Sequence, residues 1–348
     1  MIIGIKRTIK YSRSRCKSPT LSLRAAHSLS VNIGYPCRSL QNLSLLQKID
    51  VSCAFFSPFR INIMADIPRL IRNRYGNLTD ALALDSHVIP QNPTLETLLQ
   101  HRSVRHFLPE KLPQGSLEVI VAAAQSAATS SNLQTWSVLA LEDAKHKDKA
   151  ATLCGNQDFI RNAPLFLIFC ADLDRLTKVS AQHELRGEGL EFTEMFLMAS
   201  LDAGLAGQNA AIAAESLGLG VCYAGAARNK PRELAELLKL PPRVLAVFGL
   251  AVGKPDPAKS TSVKPRLPQK EVLHRETWCV DANGDNNQTQ AENLKEYDVT
   301  LASYNAGEKR EGVPAWTQRS ARRIETVESL HGRHVLKDVL QQKGFNMR

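Results

Sequence analysis

Apolar positions after residue 93 first recur at helical spacing. Thr94, Leu95, Leu98 and Leu99 form one face of a short helix ending near His101-Arg102, and Leu117, Ile120, Val121 and Ala124 repeat the pattern over residues 116–128. The period then changes. Residues 137–141, 165–171 and 244–252 are short apolar runs, the last two bounded by Pro164 and Gly253, and they predict buried strands. Between the second and third runs, residues 191–217 predict a long helix. Its Ala199, Ala203, Ala206, Ala210, Ala211 and Ala214 permit close approach, and Gly218 and Gly220 stop it before Val221-Cys222-Tyr223 begins a strand. Residues 231–238 predict a further helix with proline in its first turn. A Pro- and Lys-rich crossing (254–270), a polar loop (281–290) and a charged, Arg-rich helical tail follow. The pattern predicts one α/β or α+β domain over 94–348, with a C-terminal arm from about 281 and a lead-in over 64–93. No internal repeat is visible.

Composition changes this picture at the N-terminus. The formal charge of +10 looks like a nucleic-acid signature until it is located. Residues 1–49 carry nine Lys or Arg and no acid, leaving 35 basic residues against 34 acidic in the rest. The body is neutral, and charge gives no argument for a nucleic-acid partner. An Arg- and Ser-rich, acid-free leader over 1–63 is either a mitochondrial-type targeting segment or sequence upstream of a start at Met64. The expected location is therefore mitochondrial or cytoplasmic. No apolar run approaches the roughly 18 residues of a membrane span. The seven cysteines are widely spaced and form no CxxC pair, which points to buried thiols, Cys170 and Cys222 among them, and not to disulfides or zinc.

Several motifs fail on inspection. Gly218-Leu219-Gly220 lacks a third glycine and follows a helix, where a dinucleotide fingerprint follows a strand. His183-Glu184 begins like a zincin helix, but Gly187 stands at the second histidine position, and no metal site is expected. There is no Walker loop and no Gly-x-Ser-x-Gly elbow.

Chemistry concentrates in two basic clusters. His101-Arg102-Ser103-Val104-Arg105 places two guanidinium groups, a hydroxyl and an imidazole at a helix-to-extended junction; arginine's planar fork suits a phosphate. Alone, it reads more readily as a solvated helix end. In Lys264-Pro265-Arg266 the proline enforces an extended path, so Lys264 and Arg266 point to one side. Between the clusters lie Thr129-Ser130-Ser131-Asn132-Leu133-Gln134, Gln157, and Tyr223-Ala224-Gly225, uncharged groups able to hold a polyol and a flat ring.

His101–Phe107, Ser130–Gln134, Gln208–Gly220 and Lys264–Pro268, in this order, resemble the FMN-dependent nitroreductases, in particular the oxygen-insensitive NADPH nitroreductase and flavin reductase branch. The resemblance covers roughly 94–340. It implies a nitroreductase-like α+β fold, with a central mostly antiparallel sheet flanked by helices, and a homodimer with FMN at the subunit interface. It assigns the flavin phosphate and ribityl chain to His101, Arg102, Ser103, Arg105, Lys264 and Arg266. Ser130, Ser131, Gln134, Gln157, Tyr223, Ala224 and Gly225 fall beside the ring, Lys264 or Arg266 also supporting the charge of reduced flavin. Ala226 stands where the family often has a second glycine, and Ala128 and Thr129 replace serines.

The implied activity is a ping-pong, two-electron reduction of nitroaromatics, quinones or flavins by NADPH or NADH, the cofactor and not a protein nucleophile carrying the chemistry. For an extra phosphate on NADPH the matching region offers Lys309 and Arg310, opposed by Glu308 and Glu311. Two alternatives stay open: a flavin or quinone reductase whose nitro activity is incidental, and a flavin-binding redox sensor that does not turn over.

Overall fold

The computed structural model describes residues 67–75, 92–278 and 287–348. The leader, most of the lead-in and the first part of the expected polar loop lie outside the described residues. In chain order, α1 (Ile67–Tyr75), α2 (Pro93–Gln100) and α3 (Ser116–Gln125) precede β1 (Trp136–Leu141). Helices α4 (Ala144–Leu153) and α5 (Asp158–Asn162) lead to β2 (Leu165–Asp172), and α6 (Asp174–Gln182) and the long α7 (Thr193–Ser216) to β3 (Gly220–Ala224). Then come α8 (Pro231–Leu237), β4 (Val244–Gly253), a single turn α9 (Gln269–Val272), α10 (Asn287–Gly307), α11 (Trp316–Arg323) and α12 (Leu336–Gln342).

The four strands form one sheet in the order β1-β2-β4-β3, every pair antiparallel. This is the α+β fold with an antiparallel centre that the resemblance implied. Strand β2 is buried at every position, which is why it reads as an unbroken apolar run. Its side chains alternate between two cores, as a strand's must. Leu165, Leu167 and Phe169 face the alanine ridge of α7 and the apolar stripe of α3. Phe166, Ile168 and Cys170 face α4, α5 and α8. Cys154, Cys170 and Cys222 are buried free thiols, as the sequence predicted for the latter two.

Local signals explain the element ends. Asn92 accepts from Thr94 N (2.9 Å) and Leu95 N (3.3 Å), capping α2 ahead of Pro93. Gly218, at φ +76°, ends α7 as Leu219 N reaches back to Ala214 O (3.0 Å).

Three expectations change. Helix α3 stops at Gln125, so 126–128 already belong to the serine-rich turn. Helix α10 begins at Asn287, taking the last residues of the expected polar loop. The end of the tail is core: Val339, Leu340 and Phe345 pack with Leu173, Leu190 and Leu245, and Arg348 N donates to Glu191 O (3.0 Å). Charged neighbours hide those apolar positions in the sequence. Among the described residues, no helix is long and apolar enough to cross a membrane.

Candidate flavin-phosphate site

The first basic segment is fixed by the sheet. After α2 the chain becomes extended at His101 (φ −51°, ψ 131°) and crosses the start of β3, where Ser103 bridges Val221 in parallel and Val104 N donates to Val221 O (2.8 Å). Gly220 makes this crossing possible, since a Cβ there would sit 2.7 Å from the Val104 side chain. Beyond it, Asp256 N donates to His106 O (3.0 Å) and Leu108 N to Lys254 O (2.9 Å). The imidazole of His101 is tied through Nδ1 to Glu215 Oε1 (2.7 Å) in the last turn of α7. Arg102 is left half-buried, with Ser103 and Arg105 exposed.

The second basic segment meets the first. Tyr297 of α10 donates its hydroxyl to Pro265 O (3.0 Å), anchoring the extended Lys264-Pro265-Arg266 path. Burial pushes the Lys264 ammonium below its ordinary pKa, and the cations Arg310, Arg319, Arg105 and Arg266 push it further. Two cavities flank this cluster. The smaller, about 80 Å³, is lined by Arg102–His106, the 255–261 loop and Arg310. The other, about 440 Å³, has Lys264, Arg266 and Arg319 at an aromatic wall of Tyr75, Tyr297 and Trp316.

Of the two residues expected to read an NADPH phosphate, the structure brings Arg310 to the smaller cavity and leaves Lys309 exposed at the turn after α10, with φ +53°. Arg310 also lies over the Tyr304 ring. Glu308 does not simply oppose them. It accepts from Ser262 N (2.9 Å) and Oγ (2.5 Å), bonds that hold its carboxyl below the usual carboxylate range and join α10 to the Lys264 segment.

The other expected residues form two separate groups. Gln157 lies beside Gly155 and Ala226, next to the loop that continues Tyr223-Ala224-Gly225. Ala226 is buried in the core, so its methyl is packing and does not project from the loop. The Tyr223 ring packs on Phe248, and its hydroxyl donates to Gln208 Oε1 (3.3 Å) on α7, not toward the cations. Ser130–Gln134 form an exposed turn with three non-glycine residues at positive φ: Ser131 (49°), Asn132 (56°) and Gln134 (51°). Buried Asp202 of α7 holds this turn, accepting from Ser130 N (3.1 Å), Thr135 N (3.1 Å) and Thr135 Oγ1 (2.8 Å).

Asp202 and Glu215 are thirteen residues apart on one unbroken helix, about 20 Å at the helical rise. The serine-rich turn and the cationic cluster therefore do not meet within one chain. Sequence reasoning missed Asp202, Glu215 and Arg74, the last on α1 and described below. Asp202 and Glu215 each break an otherwise apolar or small-residue helix surface, which was a usable signal.

The donor set fits a phosphorylated cofactor. Guanidinium and ammonium groups are donor-only, hydroxyls of Ser103, Ser260 and Thr261 stand beside them, and a dianion would relieve the mutual repulsion at Lys264.

The nitroreductase family profile matches residues 98–254, and the profile of the nitroreductase family C-terminal domain matches 264–348. An FMN reductase (NADPH) of Bacillus subtilis is 39% identical over 259 residues, 73% of this chain and 99% of the relative. An oxygen-insensitive NADPH nitroreductase of Salmonella typhimurium is 38% identical over 213 residues, 61% of this chain and 82% of the relative. Among solved structures, the Bacillus subtilis oxidoreductase YcnD superposes with a TM-score of 0.68 at 34% identity, covering 74% of this chain and 99% of that one. The Vibrio harveyi NADPH:FMN oxidoreductase, complexed with NAD+, gives 0.64 at 30% identity, covering 74% and 100%. The chain belongs to the nitroreductase family. Its relatives are those of the nitroreductase and flavin reductase branch that the motifs resembled.

Proposed function

We propose that the protein is an FMN-dependent oxidoreductase that takes electrons from NADPH or NADH and passes them in pairs to flat, electron-poor acceptors. Bound FMN would supply the hydride-accepting and electron-donating chemistry. The observation that carries the reading is the convergence of the 101–105 and 264–266 segments, distant in sequence, into one cationic cluster: Arg74 bonds both His101 O and Lys264 O, and burial first, then Arg310, Arg319, Arg105 and Arg266, lower the Lys264 pKa. His101, Arg102, Ser103, Arg105, Lys264 and Arg266 hold the phosphate and polyol end. Gln157 and the Tyr223–Gly225 strand end lie toward the ring, with Tyr223 as a packing contact through Phe248 and Gln208. Arg310, at the wall of the smaller cavity, would serve the extra phosphate of NADPH.

The site is completed by a second copy of the chain. Leu197, Leu201 and Leu205 stand exposed at i, i+4 spacing on α7, an apolar ridge adjoining the Asp202-held turn. A homodimer that buries this ridge supplies Ser130, Ser131 and Gln134 to the partner's flavin. The family resemblance, which implies a homodimer with FMN at the subunit interface, supports that arrangement.

The test is direct. Purified protein should be yellow, release FMN on heating, bleach with NADPH under anaerobic conditions and recolour when a quinone or nitroaromatic is added. A protein that binds no flavin refutes the proposal. One that bleaches but does not recolour with any acceptor is the redox sensor instead.

A further inference from the structure

Helix α1 precedes the regions matched by the family profiles, which begin at residue 98, yet one of its side chains lies at the centre of the cationic cluster. Arg74 is only 6% exposed. Its Nη2 donates to Leu99 O (2.9 Å) and His101 O (2.9 Å), and its Nη1 to Lys264 O (3.1 Å). In return, Arg266 N donates to Arg74 O (2.9 Å). One residue thus bonds the backbone of both basic segments.

The consequences are geometric. Two carbonyls bonded to the same guanidinium each sit one hydrogen-bond length from its nitrogens, so His101 and Lys264 are kept at a fixed separation. The His101 carbonyl points at Arg74, and in a trans peptide the Arg102 N–H points the opposite way, outward from α1. Leu99 lies in the last turn of α2, where carbonyls lack helical partners and a cation is favoured. Surface ion pairing would not need this burial, and a lysine ammonium, with its three donors on one nitrogen, would lack the planar fork that engages Lys264 O and His101 O through different nitrogens.

Resting on the FMN reading above, we propose that Arg74 is a positioning residue of the flavin-phosphate site: from α1 it clamps the His101 and Lys264 segments at the spacing a phosphate requires. Arg74 itself touches no ligand. Its charge also adds to the positive potential behind the site, which favours an anion and leaves a neutral ligand unaffected.

FMN and riboflavin differ only in the phosphate, so comparing them isolates this role. Apoprotein of the full chain is titrated with each flavin, following quenching of flavin fluorescence, in wild type, Arg74→Ala, Arg74→Gln and Arg74→Lys. The expected result is that Arg74→Ala weakens FMN binding about tenfold or more, by loss of charge-assisted bonds that order the site. Riboflavin binding should stay within about twofold by the same reasoning, since it lacks the anion. Arg74→Lys should fall between, keeping the charge and losing the three-way geometry. Should Arg74→Ala fail to fold, Arg74→Gln carries the same comparison. An unchanged FMN-to-riboflavin affinity ratio overturns the clamp, as does parallel loss of both flavins, which marks α1 as a stabilising element only. Wild type that binds neither flavin would sink the FMN reading itself, a different outcome from failure of the clamp.

Discussion

Replacing Asp202 with Asn tests how the serine-rich turn is held. Asp202 is 2% exposed and accepts three hydrogen bonds, from Ser130 N and from both donors of fully buried Thr135. The substitution keeps shape and volume, so no cavity term enters. It replaces one acceptor oxygen by an NH2 group that donates. If the amide oxygen faces Thr135, the NH2 confronts Ser130 N–H; if it turns over, two Thr135 donors lose their partner, though the hydroxyl can rotate to accept. Hydrogen bonds to a charged group contribute about 1.5–3 kcal/mol, and a stranded buried donor costs about 1–3 kcal/mol. The expected destabilisation is therefore about 2–4 kcal/mol, read from urea unfolding of the apoprotein at one fixed protein concentration. The turn carries three left-handed non-glycine residues, which persist only while their surroundings hold them. Its release should therefore also weaken FMN binding in the assembled protein. A change below about 0.5 kcal/mol, the ordinary scale for a surface substitution, would show that the carboxylate does not hold the turn.

Two further outcomes follow from the same geometry. The pKa of Lys264 is lowered in the free protein by burial and by Arg310, Arg319, Arg105 and Arg266, and a bound phosphate raises it again, so binding favours the protonated form. FMN affinity should hold below that lowered pKa and fall as pH rises through it, before the ordinary lysine value of 10.5; Lys264→Arg should flatten this decline, and a wild-type profile already flat there refutes it. Leu201→Lys, on the exposed α7 ridge, should give a monomer by light scattering that folds but retains little FMN, whereas a stable dimer with full flavin would place the interface elsewhere.

The elements were legible where one physical signal dominated. Strand β2 could be read from its run because both its faces are buried, and α7 from the alanines that let it lie against the sheet. The two basic segments could be read as chemistry only through the order and spacing of the four family-like motifs, because each alone reads as a solvated surface. What brings them together was not legible. Val104 crosses β3 only because Gly220 lacks a Cβ, a relation between residues 116 positions apart. Arg74 lay in a stretch with no family motif, and its partners are backbone carbonyls, which carry no side-chain signature. The end of the tail was misjudged for a related reason. Val339, Leu340 and Phe345 are few and widely interrupted, so their burial depends on a pocket made by residues 173, 190 and 245.

Helix α7 gives the physical basis for the divided site proposed above. Near its middle Asp202 holds the serine-rich turn, and at its end Glu215 orients His101. The helix is unbroken and packed by Ala199, Ala203, Ala206, Ala210 and Ala214, so it keeps these two points about 20 Å apart. No loop movement within one chain brings them together without unpacking the sheet. In the two-fold dimer proposed above, meeting leucine ridges would bring each copy's turn toward the other's cationic end, an exchange made reciprocal by symmetry. In that assembly flavin contacts both subunits, so occupancy of either site strengthens the interface and the interface strengthens both sites, by the same free energy in each direction. The alanine face that fixes the helix against the sheet and the leucine face that remains exposed are thus two sides of one element, which orders the monomer and, in the proposed dimer, would set the composition of the site.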